Sequence, residues 1–178
     1  NHLGVEPLSE TFNGQYLFNL IQRHTLSDPI SNATKSSPTS LLGQASKVSS
    51  GSKRPVTRAI KSVIMDQEFV VGVGNIYATE SLYLSGIHPA TPASTLSESQ
   101  LATLVGHIKI ILQKSIDLGG SSLRDFTVAS GQTGYFQQTL HAYGRQGEPC
   151  GNCAEVLMTT KINGRASVFC PKCQSLLA

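Results

Sequence analysis

Apolar residues recur at positions 12, 16, 17, 20 and 21, the spacing that lines one face of a helix. Ser9 and Thr11 stand ahead of the stripe and can start it, so a first helix is expected through residue 21 despite Gly14. A short second helix is predicted over 58–65, capped by Thr57 and presenting Ile60, Val63 and Ile64 to a core, with Asp66 and Gln67 ending it. The helical pattern of 76–84 stops at Gly86, a residue type that readily takes the left-handed conformation closing a helix. The longest helix runs from Ser97, boxed by Gln100, to Leu118, with Leu101, Leu104, Val105, Ile108, Leu112 and Ile116 on one face. His107 and Lys109 flank that stripe and are expected to be solvated. Strand-like pieces appear only late, around 140–143, 156–159 and 166–169. The last two form a hairpin across Asn163-Gly164, a two-residue turn signal. The fold class expected is mainly α, with helices joined by tight turns and a small β-hairpin at the end.

Between the first two helices, residues 27–55 are rich in Ser, carry Pro29, Pro38, Gly43 and Gly51, and keep no period. They read as a flexible surface insertion, either a loop with no role of its own or one in which Lys47, Lys53 and Arg54 touch phosphate. No internal repeat is visible. A chain of 178 residues with 39% hydrophobic content supports one ordinary domain or two small ones, and a net charge of +3 permits a nucleic-acid partner without demanding one. No apolar run approaches the roughly 20 residues a spanning helix needs, and Asn1 opens no basic-then-apolar leader, so no membrane partner and a cytoplasmic location are expected. A chain opening on Asn1 without methionine reads as the middle of a longer polypeptide.

All four cysteines fall in the last thirty residues, as Cys150-x-x-Cys153 and Cys170-x-x-Cys173 with sixteen residues between the pairs. Two such pairs put four thiolates at the tips of two tight turns, where they can surround one tetrahedral zinc ion. Two disulfides or a redox dithiol are the competing readings, the first disfavoured in a leaderless chain and the second needing only one pair. The stretch Val71-Gly72-Val73-Gly74-Asn75 opens a helix, yet it is no dinucleotide fingerprint, because a helix precedes it and Ala78 stands where a third glycine belongs. It is either an anion site of free N–H groups beside the Asn75 side chain, or a tight turn with Asn75 as a cap. Arg165 follows the hairpin turn directly. On so small a lever it can grip phosphate through paired N–H bonds, or simply be solvated on a structural ribbon.

These segments resemble formamidopyrimidine-DNA glycosylases in order and nearly end to end, apart from the Ser-rich insertion. The resemblance is carried by Leu3-Gly4-Val5-Glu6-Pro7-Leu8, Ile60-Lys61 with Met65-Asp66, Val70 through Ala78, and Gly86-Ile87-His88-Pro89. It continues through Gly119-Gly120-Ser121-Ser122-Leu123-Arg124-Asp125-Phe126, Gly134-Tyr135-Phe136 and Tyr143-Gly144-Arg145 to Cys150. It implies an interdomain connector over 1–8, a helix-two-turn-helix domain over 9–136 and a β-hairpin zinc finger over 137–178. It further implies one structural zinc on Cys150, Cys153, Cys170 and Cys173, with Asn75 and Lys61 as DNA contacts. Arg165 would grip the phosphates flanking the lesion and donate a proton in the second strand cleavage. Backbone N–H groups near Thr133, Gly134 and Tyr135 would close over an everted 8-oxoguanine.

The activity so implied is that of a bacterial, monomeric base-excision-repair enzyme, a bifunctional glycosylase and abasic-site lyase acting on double-stranded DNA with oxidised purines or abasic sites, nucleoid-associated when bound. The family's nucleophile is the amine of an N-terminal proline beside a catalytic glutamate, and this sequence offers no counterpart to either. An amine must attack C1′ of an everted nucleotide before the strand can be cut, so the chain alone is expected to be inactive. Two alternatives stand beside this reading: an endonuclease VIII-like enzyme for oxidised pyrimidines, and a non-catalytic zinc-ribbon DNA-binding protein.

Overall fold

The computed structural model describes residues 3–23, 54–118 and 139–176. Most of the Ser-rich insertion and the whole of 119–138, including Thr133, Gly134 and Tyr135, lie outside the described residues. The elements run α1 (Gly14–Gln22), α2 (Ile60–Ile64), α3 (Asn75–Ser85), a 3-10 turn (Ala93–Thr95), α4 (Glu98–Asp117), β1 (Met158–Ile162) and β2 (Arg165–Phe169).

The first helix starts later than the Ser/Thr signal suggests, because Asn13 caps it, its Oδ1 accepting from the Tyr16 N–H at 2.8 Å. Phe12 and Leu17 occupy the flanking positions of a hydrophobic staple and are both fully buried. Gly14 is there for contact: a Cβ would stand 2.6 Å from the Cα of Ala102, so α1 meets α4 where a side chain has no room. Helix α2 is shorter than expected and Thr57 does not cap it. Ala59 precedes the helix without a side-chain bond. The segment that follows α3 supplies the acceptors instead, with Ile60 N–H donating to the Thr91 carbonyl at 2.8 Å and Lys61 N–H to that of Pro89 at 3.2 Å. Ile60, Val63 and Ile64 are buried, as their spacing requires.

Helix α3 is buried on every side from Ile76 to Tyr83 and closes at Gly86 in the left-handed conformation, as the sequence signals. It packs against α4, α2 and β2, which makes it the centre of the molecule. In α4 the capping box of Ser97 and Gln100 forms, and Leu101, Leu104, Val105, Ile108 and Leu112 are buried. Ile116 is not: it is 55% exposed, and Ser115 takes the inward position, hydrogen-bonded to the Tyr77 hydroxyl at 2.9 Å. His107 and Lys109 are also more than solvated. Nδ1 of His107 pairs with Ser85 Oγ at 2.9 Å, and Lys109 Nζ donates to the Ser9 carbonyl at 2.8 Å.

The segment 140–143 is no strand, because its N–H groups are taken by a carboxylate described below and not by a neighbouring strand. The two real strands pair antiparallel from Met158↔Phe169 to Ile162↔Arg165. Their turn has positive φ at both Asn163 (49°) and Gly164 (74°), the geometry whose twist matches a two-residue hairpin. One apolar cluster joins the four helices, and a smaller one, with Tyr83, Ala142, Leu157 and Val168 around Cys150 and Cys170, lies under the hairpin. Among the described residues no helix is long and apolar enough to cross a membrane.

Candidate metal centre and nucleic-acid interface

The two cysteine turns converge until all four Sγ atoms lie within 4.8 Å of one another. Cys153 and Cys170 are 3.4 Å apart and Cys150 and Cys173 4.0 Å, too far for a disulfide. Four sulfurs at about 2.3 Å from a central ion define a tetrahedron with edges of roughly 3.8 Å, so the spacing fits zinc. Soft thiolates in that shape are the donor set zinc selects. The cysteines thus form the ligand set of one structural zinc ion. Burial pushes the Cys150 thiol up, but hydrogen bonds from Tyr83 and from the Asn152 and Cys153 backbone bring it down to about 6, favouring the thiolate a metal needs.

At the other end of the hairpin, β2 is docked on α2 and the start of α3. Lys61 reaches inward from α2, its Nζ donating to the Ala166 carbonyl at 3.0 Å and to Ser167 Oγ at 2.6 Å. Asn75 Nδ2 donates to the same Ala166 carbonyl at 3.2 Å, and Asn163 Nδ2 to Ser62 Oγ at 2.9 Å. Asn75 is the first residue of α3 and not its cap; Gly74 holds that place. Arg165, next to the doubly bonded carbonyl, is exposed. It lines a cavity of about 260 Å³ together with Arg58, Lys61, Asp66 and Asn163. Burial, and then the neighbouring Arg165 charge, lower the Lys61 ammonium to about 8. Arg58 pairs with Asp66 and lies over the Phe69 ring, 5.3 Å from its centroid.

Lys61, Asn75 and Arg165 are therefore brought to one place, and the four cysteines to another. The hydrogen-bond arithmetic leaves one N–H unused on each of Lys61 and Asn75. An ammonium has three N–H bonds and Lys61 uses two; a primary amide has two and Asn75 uses one. The sequence reading missed Glu80. It is buried in α3, where Oε1 accepts from the N–H groups of Ala142 (2.8 Å) and Tyr143 (2.7 Å), and Oε2 from that of His141 (2.8 Å). Its one signal was a lone carboxylate inside the apolar stretch 76–84. Arg58 was missed as well; it lies just ahead of α2, three positions from Lys61, and lines the same cavity.

A buried central helix entered through a glycine turn, with a four-thiolate hairpin docked across its start, defines a helix-two-turn-helix protein with a zinc finger. Residues 3–127 match the formamidopyrimidine-DNA glycosylase H2TH domain, and residues 147–176 the zinc finger found in FPG and IleRS. The formamidopyrimidine-DNA glycosylase of Psychrobacter arcticus is 61% identical over 178 residues, covering 100% of this chain and 53% of that protein. The Lactococcus lactis Fpg solved with an abasic site containing DNA superposes with a TM-score of 0.71 at 33% identity, covering 97% of this chain and 52% of that one. MutM in complex with carbocyclic 8-oxo-G containing DNA gives 0.70 at 33% identity, covering 97% and 51%. The chain belongs to the formamidopyrimidine-DNA glycosylase family. It spans about half the length of the curated relatives it matches.

Proposed function

We propose that this chain is the DNA-holding part of a base-excision-repair glycosylase and abasic-site lyase for oxidised purines such as 8-oxoguanine and formamidopyrimidines. The observation that carries the reading is the convergence of Lys61, Asn75 and Arg165 around the Ala166 carbonyl, with N–H bonds left over on each. A phosphodiester needs such an array: two charged donors, a neutral one and a groove to lie in. The relatives solved with 8-oxo-G and abasic-site DNA support the choice of ligand.

In this reading the backbone flanking a lesion lies along the cavity, Arg165 reaches it from the hairpin tip, and Asn75 and Lys61 fix it from the helical side. Arg165 is then placed to act as an acid on a departing phosphate in the second cleavage. Residues 1–8 serve as connector, 9–136 as the helical domain and 137–178 as the finger, and Thr133, Gly134 and Tyr135, outside the described residues, contact the everted base. The protein works as a monomer on nucleoid DNA in the bacterial cytoplasm. The attacking amine is supplied by residues other than these 178, so this chain holds DNA and does not cut it.

The test is binding to a duplex with an abasic-site analogue, followed by borohydride trapping on a true abasic site. Salt-dependent binding without a covalent adduct is the expected result. An adduct would place a nucleophile within this chain, and binding equal for double-stranded DNA and an uncharged backbone analogue would remove the phosphate clasp.

A further inference from the structure

One ligand of the zinc site is hydrogen-bonded from outside the finger. The Tyr83 hydroxyl lies 3.1 Å from Cys150 Sγ, and the residue is only 9% exposed. Its ring stacks on that of His141, with centroids 5.9 Å apart and planes at 11°. The other hydrogen bonds to these sulfurs, among the described residues, come from within the finger itself, from Asn152 and from backbone N–H groups of Cys153, Glu155, Lys172 and Cys173. Either partner can donate while Cys150 carries its proton, but a zinc-bound thiolate has none, so the phenol must then be the donor. Four thiolates around one divalent ion leave a net double negative charge, and a buried donor aimed at one sulfur offsets part of it.

We propose that Tyr83 is a positioning residue of the zinc centre, an outer-sphere donor that stabilises the bound Cys150 thiolate and ties the ion to α3. The tie has a direction, because α3 begins at Asn75, where the hairpin strand is docked, and so runs from that contact to the metal. It also has an exposed side. A cavity of about 350 Å³ bordered by Tyr83, His141, Asn152 and Cys173 leads to the ligands, so a chelator can reach them past this residue. The proposal rests on the zinc assignment and says nothing of the DNA reading.

The experiment compares the full chain with Tyr83→Phe and Tyr83→Leu, after elemental analysis of each. Two quantities are followed: the rate of zinc transfer to a colorimetric chelator, and the sulfur-to-metal charge-transfer band of the cobalt(II)-substituted protein. Outer-sphere partners are typically worth 10- to 100-fold in metal affinity, so Tyr83→Phe should keep one zinc and its helical content but release the ion about tenfold faster. Its charge-transfer band should move to lower energy, since a sulfur that loses a hydrogen bond holds its lone pairs less tightly. A wild-type rate and band in Tyr83→Phe would overturn the proposal. So would faster release without a band shift, or acceleration confined to Tyr83→Leu, each of which assigns the residue to ring packing. Wild-type protein free of zinc would overturn the metal centre and this proposal together.

Discussion

Lys61 is a buried basic residue whose hydrogen bonds are not all used within the protein. Its ammonium is held between Ala166 and Ser167 and has one N–H left, while burial and then the Arg165 charge keep it at about 8 in place of the ordinary 10.5. The sign follows from linkage. Between about 8 and 10.5 the unfolded chain holds a proton that the folded one has lost, so this residue makes stability rise with pH in that window and sink as pH falls through about 8. Phosphate binding works the opposite way, because it requires the charged form. Arg165 is the charge that depresses Lys61, and Asp66 in the same cavity is engaged by Arg58. DNA affinity should therefore weaken as pH rises through about 8, and Lys61→Met should flatten that profile; titrations at pH 7 and 9 check it. For Arg165→Ala the expected loss is on the order of 1.5–3 kcal/mol of binding, the worth of a charge-assisted hydrogen bond, with a salt slope shallower by about one ion. Asn75→Ala should cost nearer ~1 kcal/mol and leave the slope unchanged, its donor being neutral. If both grip the same stretch of phosphate backbone, the two should couple, so the double variant should lose less than the sum of the singles.

At the scale of elements, what could be read from sequence was what local chemistry decides. The capping box of α4, the Gly86 stop, the Asn163-Gly164 turn and the cysteine turns each rest on one to four adjacent residues, and each formed. What could not be read was decided across the fold. Thr57 looked like a cap, but the carbonyls of Thr91 and Pro89 reached the start of α2 first. Residues 140–143 looked like a strand until Glu80, about sixty positions earlier, claimed their N–H groups. Gly14 looked like a defect in α1 and is the site of its closest approach to α4. That last point is testable, since propensity and packing disagree there. Alanine is favoured over glycine within a helix by about 1 kcal/mol, whereas overpacking costs about 1–3 kcal/mol. A Cβ 2.6 Å from backbone atoms cannot be relieved by a side-chain rotation, so packing should win. Gly14→Ala should lower the urea midpoint, and a raised midpoint would show that α1 shifts freely on α4.

For the whole molecule the issue is how a finger with so small a core is held at a fixed angle to the helices. Its own cluster cannot fold some thirty residues unaided, so zinc supplies the finger's internal order. Chelation should unfold the finger and abolish DNA binding while leaving the helical cluster cooperative, which circular dichroism and a binding assay on one sample can separate. Orientation is a different matter, and there Glu80 is the strongest single tie: three consecutive N–H groups of the chain entering the finger converge on one buried carboxylate. In Glu80→Gln one oxygen becomes an NH₂ facing donors, and each N–H left unpaired costs about 1–3 kcal/mol. The finger would keep its zinc, because none of its ligands has changed, but would lose its angle to α3. Glu80→Gln should thus bind one zinc per chain, exchange the amide protons of His141, Ala142 and Tyr143 faster, and bind DNA more weakly, since Arg165 no longer faces Asn75 and Lys61. The pattern separates orientation from folding. Loss of zinc together with DNA binding would mean that Glu80 serves the finger's stability, and unchanged exchange and affinity would mean that the β2 contacts with Lys61 and Asn75 alone set the angle.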